Sequence, residues 1–473
     1  MSLKTGQKSR SHGYKTASQT QNTQRHAYYN KTLPAANTII ANQQNPLPSD
    51  PGMISKSRTK SSLGLERKIS RSQHDQYALF GEADKNGYYI HAPSEVIAER
   101  YRCIDAIGSG TFSTVVKAED LRTNTFVALK IIRSPLKYRD AAKYEIRCLN
   151  KFNKGKNQKI IELLDHFDWR GHVVMVFPLF KGDLFKLITE KRLIRVNLED
   201  IREVARNMIE AIQALSSEGY IHTDIKPENI LLTQKHSNGG STPNIEKQEE
   251  DFENEGGPAK WILSDLGSAV HSTQKPPSII CTRQFRPPEA ILQLKYDFKV
   301  DIWSLGCVLF ELYTGDMMFP THSNHEHLAM IEHLIGPIPT AMVEEAPDAI
   351  RQKYFSGRPL HLIWPPTNRM GPNKQPEIDV KTHRRSQSND KYKTIENVVS
   401  VMERVKSMKT MEERVPDPDF RDFLFRMLAI DPCIRNTPEN LLNHPFLSPK
   451  EEVRQEDAVS TSPMNVETKL DAN

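Results

Sequence analysis

The sequence predicts an α+β fold, and three observations carry that expectation. Val127-Ala128-Leu129-Lys130 and His172-Val173-Val174-Met175-Val176-Phe177 are strand-like apolar runs inside residues 101–180. Between them, Ala141-Ala142-Lys143-Tyr144-Glu145-Ile146-Arg147-Cys148-Leu149 repeats its apolar residues at helical spacing. Much later, Glu326-His327-Leu328-Ala329-Met330-Ile331-Glu332-His333-Leu334-Ile335-Gly336 reads as an amphipathic helix, with Leu328, Ile331, Leu334 and Ile335 facing the core.

Taken in chain order, the elements bring chemistry with them. In Ile107-Gly108-Ser109-Gly110-Thr111-Phe112-Ser113-Thr114-Val115 two glycines let backbone N–H groups approach an anion, although a lone G-x-G stretch is more often a plain hairpin turn. The next run ends in the cation Lys130, and Glu145 on the following helix is the acid placed to pair with it. The run ending at Phe177 leads into Pro178-Leu179-Phe180, with Asp183 shortly after. Ile221-His222-Thr223-Asp224-Ile225-Lys226-Pro227-Glu228-Asn229 then sets a carboxylate, an ammonium and an amide at the spacing phosphoryl transfer requires. Trp261-Ile262-Leu263 is a short apolar run that opens onto Ser264-Asp265-Leu266-Gly267, which in isolation is a turn.

In this order, the segments resemble the working parts of a protein kinase. The catalytic run resembles H-R-D-x-x-x-x-N with Thr223 at the arginine, and the first loop resembles the glycine-rich loop with Ser113 at its third glycine. Val127–Lys130 resembles V-A-I-K, and Asp265-Leu266-Gly267 resembles D-F-G with leucine for phenylalanine. It is the conjunction that carries the reading. The resemblance implies a bilobal protein-kinase fold over residues 101–447, with a β-rich N-lobe (101–180) and a helical C-lobe (181–447) around an ATP cleft. It implies Asp224 as the base for a substrate hydroxyl, Lys226 beside the transferred phosphate, and Mg2+ on Asn229 and Asp265. ATP would lie under the loop from Ile107 to Val115 and against Ala128, with Lys130 and Glu145 at its phosphates. Phe177 would be the gatekeeper, the Pro178 carbonyl and the Phe180 N–H would meet adenine, and Asp183 would meet the ribose. Thr282-Arg283-Gln284-Phe285-Arg286-Pro287-Pro288-Glu289 resembles the end of an activation segment. There Thr282 would bond both Asp224 and Lys226, and Glu289 would pair with Arg435.

Arg286 is typical of the CMGC group of kinases, and Glu326–Gly336 is similar to E-H-L-A-M-M-E-R-I-L-G, the signature of the LAMMER (Cdc-like) family. Ile331 and His333 depart from it, as does the reversed Leu334-Ile335. Phe112-Ser113-Thr114-Val115 and Asp265-Leu266-Gly267 lean toward the SR-protein kinases. Both families phosphorylate serine in Arg/Ser-rich splicing factors, so the implied activity is a serine/threonine kinase acting on such proteins, with tyrosine autophosphorylation implied by the LAMMER resemblance. Glu228 is the candidate acid for an upstream substrate arginine, since a carboxylate and a guanidinium pair bidentately, and Arg286 is the second substrate-recognition candidate. Thr223 removes the arginine that would bind activation-loop phosphate, so activity is expected without loop phosphorylation. A DYRK-like or SR-protein-kinase-like enzyme with other substrates stays open, as does a pseudokinase scaffold, which the intact Lys130, Asp224, Asn229 and Asp265 oppose.

Charge is distributed unevenly. Residues 1–74 carry 12 Lys+Arg against 2 Asp+Glu, while the rest of the chain carries 52 against 57. This predicts a disordered basic Ser/Thr/Gln-rich arm, suited to acidic partners or nucleic acid, followed by an extension of the kinase domain at 75–100. Two polar insertions are expected at 234–258 and 371–391, and a disordered tail at 448–473. Five cysteines, Cys103, Cys148, Cys281, Cys307 and Cys433, form no C-x-x-C pair, which suits a reducing compartment. Without an apolar run of about 18 residues or a leader pattern, no membrane insertion is expected. A nuclear monomer is the expectation from family and charge, and imaging the chain with and without residues 1–74 tests the location.

Overall fold

Six antiparallel strands build the first lobe: β1 (Val96–Ile97), β2 (Tyr101–Ser109), β3 (Ser113–Asp120), β4 (Thr125–Ile132), β5 (Asp165–Trp169) and β6 (His172–Pro178), ordered β1-β2-β3-β4-β6-β5. The computed structural model describes residues 83–92, 94–154, 158–190, 196–233, 261–275, 277, 279–365 and 399–448. The basic arm, both insertions and the tail after residue 448 lie outside the described residues. The sheet begins with β1, upstream of the expected N-lobe boundary at residue 101.

Strand alternation decides what faces the cleft. Successive side chains of a strand point to opposite sides. β4 therefore gives Val127, Leu129 and Ile131 to an outer apolar cluster, and Ala128, Lys130 and Ile132 to the inner side, where Ala128 and Ile132 join the main core. β6 divides in the same way, with Val174 and Val176 outside and Val173, Met175 and Phe177 inside. Helix α1 (Leu136–Lys154) packs its stripe Tyr138, Ala142, Ile146, Leu149 and Phe152 into that inner core. Glu145 lies in this stripe and is only 4% exposed, so its charge requires a partner.

The second lobe is helical, as expected. Its main helices are α2 (Leu184–Glu190), α3 (Leu198–Ser217), α4 (Lys299–Thr314), α5 (Asn324–Leu334) and α6 (Pro418–Met427). The Asn197 side chain caps α3 by accepting from the Asp200 amide at 2.7 Å. Every residue of α4 from Val300 to Leu312 is buried, which marks it as the axis of the lobe. Gly306 on α4 allows a close approach, because a Cβ there would stand 3.0 Å from Leu428 Cδ2. Leu328, Ile331 and Leu334 of α5 are buried as predicted, and so are Glu326 and His327, which the apolar pattern leaves out. Short strands β7 (Gly182–Asp183), β9 (Ile230–Leu232) and β10 (Trp261–Leu263) form one small sheet. β8 (Tyr220–Ile221) pairs with β11 (Val270–His271), and together these ribbons hold the loops of the site. Among the described residues no helix is long and apolar enough to cross a membrane.

Candidate active site

One ammonium group joins three elements. Lys130 Nζ on β4 lies 2.7 Å and 3.0 Å from the two carboxylate oxygens of Glu145 on α1, and 3.0 Å from Asp265 Oδ1, just beyond β10. Burial works against the Lys130 charge, but Asp265 and Glu145 outweigh it and hold the ammonium above the ordinary lysine range. Asp265 sits deep yet keeps 43% of its side chain open to the cleft. Desolvation would raise its carboxyl, but Lys130 and then Lys226 outweigh that and hold it down at about 2. Both groups are therefore charged at neutral pH. Gly267 permits this crowding, since a Cβ there would meet Asp265 Oδ1 at 3.3 Å and Glu145 Oε2 at 3.4 Å.

A second cluster forms on the loop between β8 and β9. Asp224 Oδ1 accepts from the Thr282 hydroxyl at 2.7 Å and from its amide at 3.2 Å, and Asp224 Oδ2 accepts from Lys226 Nζ at 2.7 Å. Thr282 thus bonds Asp224 but not Lys226, a correction to the expected pair of contacts, because Lys226 takes the other carboxylate oxygen. Asn229 donates its Nδ2 to the Asp224 carbonyl at 2.8 Å, which commits the donor side of the amide and leaves its oxygen as the ligand-competent atom. The two clusters are neighbours. Ser264 donates its amide and hydroxyl to the Asn229 carbonyl at 2.9 Å and 3.0 Å, and the next residue is Asp265.

The loop is held in a strained backbone by a residue far away in sequence. Thr223 has φ 65°, a left-handed conformation costly for a β-branched side chain. Asp301 of α4 compensates, accepting from the His222 amide at 2.7 Å and from the Thr223 amide at 2.9 Å. Burial pushes the Asp301 carboxyl up to about 6 against the pull of His222 and these two bonds. The Thr223 hydroxyl donates to the Ser268 carbonyl at 2.7 Å, and the Thr223 carbonyl accepts from Cys281. His222 Nδ1 accepts from the Asp224 amide, so its proton lies on Nε2, which donates to the Ser264 carbonyl at 2.9 Å. Sequence reasoning passed over Asp301. The available signal was a lone acid in an otherwise apolar helix start, where a buried charge demands donors.

The remaining candidates fall into two groups. Ile107, Gly108 and Ser109 end β2, Gly110, Thr111 and Phe112 make the turn, and Ser113 and Val115 begin β3. A Cβ on Gly110 would meet nothing within 4 Å, so the protein's own packing does not demand that glycine, and the room over the turn is free for another group. Ala128 pairs with Phe177 across β4 and β6, and Val127 pairs with Pro178 at the end of β6, while Phe180 is partly buried against the main core. Asp183 Oδ1 accepts from the Lys186 amide at 2.7 Å and caps α2, a structural post the sequence did not suggest. Arg286 is corrected as a substrate contact. It is 7% exposed, and Nε and Nη2 donate to the Ile280 and Cys281 carbonyls at 2.8 Å and 2.9 Å, so it shapes the activation segment from within. Burial lowers it to about 10. Glu228 is half-buried with its Oε2 unpartnered, and burial raises its carboxyl to about 7 against the pull of Lys226.

The donor set suits a nucleotide with a hard divalent cation. Among the described residues no cluster of three or more His, Cys, Asp and Glu side chains could hold a metal by itself. Asp265 and Asn229 supply one carboxylate and one amide oxygen, the pattern of an ion completed by phosphates and water.

Comparison with known proteins agrees with this geometry. The family model described as the protein kinase domain matches residues 101–447. Serine/threonine-protein kinase AFC3 of Arabidopsis thaliana is 34% identical over 371 residues, which cover 77% of this chain and 86% of that protein. Human dual specificity protein kinase CLK1 is 30% identical over 371 residues, 77% of this chain and 69% of that protein. Human dual specificity protein kinase CLK2 is 36% identical over 278 residues, 58% of this chain and about half, 54%, of that protein's length. A solved crystal structure of a kinase domain superposes with TM-score 0.62 at 28% identity, covering 77% of this chain and 100% of that one.

Proposed function

The chain belongs to the protein kinases, in their LAMMER (Cdc-like) family, and from that premise we propose that it phosphorylates serine in Arg/Ser-rich proteins with Mg-ATP. As a protein kinase it uses ATP and a divalent metal and acts on protein substrates. The observation that carries the active reading is the Lys130 ammonium already 2.7 Å from Glu145. An active kinase has that pair in place, and its presence here supports the reading that activity does not wait on loop phosphorylation.

Each residue then has a task. The glycine-rich turn offers N–H groups to the phosphates, and Lys130, fixed by Glu145, neutralises their charge. Asn229 and Asp265 would hold Mg2+, which supplies further neutralisation of the phosphate oxygens. Asp224, oriented through Thr282 and Lys226, aligns the substrate hydroxyl and takes its proton. Lys226 balances the charge that gathers beside Asp224. The expected result is that dephosphorylated protein phosphorylates an Arg/Ser peptide at once, measured by radiolabel transfer. Protein that stays inert until an upstream kinase is added contradicts the reading.

Glu228 supports the choice of substrate. Glu228 is partly exposed beside the catalytic loop, and although its Oε2 is enclosed by the protein, a carboxylate at this position attracts an arginine guanidinium through a charge-assisted bond. Glu228→Gln should raise the KM for an Arg/Ser peptide about 10- to 100-fold, the worth of one charged hydrogen bond, with little change in kcat. Since the carboxyl is raised to about 7, it loses its charge as pH falls through that value. The wild-type KM should therefore rise from pH 8 to pH 6, and that of Glu228→Gln should stay flat. Equal losses on an arginine-free peptide would remove Glu228 from recognition.

A further inference from the structure

The tip of the β2–β3 turn is tied from outside its own hairpin. Tyr88, ahead of the sheet, donates its hydroxyl to the Gly110 carbonyl at 2.9 Å. Arg133, just after β4, donates Nη1 to the Thr111 carbonyl at 2.8 Å and its backbone N–H to the Phe112 carbonyl at 3.0 Å. Its guanidinium lies 4.5 Å from the centre of the Tyr88 ring and 4.4 Å from that of Tyr138, and it also donates to the Asn86 carbonyl. Two consecutive turn carbonyls, of Gly110 and Thr111, are thus held by side chains that the hairpin itself does not supply, and that of Phe112 by a backbone N–H.

The anchor beneath them is built, not incidental. Asp84 Oδ1 accepts from the Asn86 and Tyr88 amides, both at 2.8 Å, which closes a tight turn. Ser134 donates its amide to the Gly87 carbonyl at 2.9 Å, docking that turn on the β4–α1 connection. Gly87 has φ +82°, and a Cβ there would stand 2.6 Å from Pro135 Cδ, so only glycine permits this seat. Phe112 packs edge-on to Tyr138, but Gly110 and Thr111 at the tip bury little apolar surface of their own, and such a tip is mobile unless it is tied.

We propose that the turn Asp84–Tyr88 is a strap which, with Arg133, sets the position of the phosphate-binding turn, making Tyr88 and Arg133 positioning residues for ATP. The proposal rests on the reading of the β2–β3 turn as the ATP-phosphate loop. Loss of the strap lets the turn wander, so the nucleotide must order it on binding, a cost that appears in the KM for ATP.

Tyr88→Phe isolates one bond, because the ring stays over Arg133 and only the hydroxyl goes. It should raise the KM for ATP about 2- to 10-fold, the worth of one hydrogen bond, with the peptide KM and the melting temperature unchanged. Amide exchange at Thr111 to Ser113 should quicken. Arg133→Lys, which keeps the charge but loses the planar fork, should do the same. Gly110→Val tests the loop reading separately. If it raises the KM for ATP while Tyr88→Phe and Arg133→Lys change neither KM nor exchange, the strap is overturned and the loop reading stands. If none of the three variants alters the KM for ATP, both fall.

Discussion

Asp224→Asn should lower kcat about 100- to 10,000-fold, the range expected when a positioned general base is removed. The substitution keeps size and one acceptor oxygen, so Thr282 retains a partner at the position it now reaches at 2.7 Å. What disappears is the charge. The side chain can no longer take the hydroxyl proton, and Lys226, now 2.7 Å from a carboxylate oxygen, loses the group that balances it. The KM for ATP should hold within a few-fold, because Lys130, Glu145 and Asp265 form a separate cluster on other elements. Steady-state kinetics with an Arg/Ser peptide and a thermal melt decide the matter. A variant that keeps kcat within tenfold of wild type would show that Asp224 orients the loop and is not the base.

Much of this site could be read from the sequence because its parts are local. Strand alternation puts Lys130 on the cleft face, helical spacing puts Glu145 on the buried stripe, and the five-residue step from Asp224 to Asn229 is short enough for chain geometry to fix. The unread parts are long-range. Asp301 grips the His222 and Thr223 amides from 78 or more residues away, and nothing in the spacing connects them. Arg286 is a substrate-recognition candidate by resemblance, but its use is settled by carbonyls that fold over it from the activation segment. Tyr88 lies before the family pattern begins, so its contact with Gly110 had no motif to mark it. Asp183 carries a capping bond that the resemblance did not mark, because a carboxylate at a helix start meets backbone donors, and Thr282 makes the expected bond to Asp224 without the one to Lys226.

Glu289→Ala should destabilise the protein by about 3–5 kcal/mol, the cost of breaking a buried ion pair from one side. Arg435 and Glu289 have side-chain exposures of 0% and 1%, and they meet bidentately at 2.6 Å and 3.0 Å. The rest of the guanidinium is satisfied by carbonyls: Nε by Ala429 at 2.9 Å, Nη1 by Lys299 at 2.9 Å and Nη2 by Ile430 at 3.3 Å. Removing the carboxylate leaves a positive charge in a dry interior with only dipoles around it, against a total stability of about 5–15 kcal/mol for typical domains. Glu289 also opens the short helix Pro288–Ile291 that follows the activation segment, so the loss should loosen Thr282 and reduce kcat as well as the melting temperature. The joint variant Glu289→Leu with Arg435→Met tests the cause, since exchanging both partners for apolar groups removes the uncompensated charge. It should regain most of the lost stability in a denaturant melt. A single variant within about 1 kcal/mol of wild type, or a joint variant no better than the single, would mean that water reaches Arg435 and that the pair does not lock the lobe.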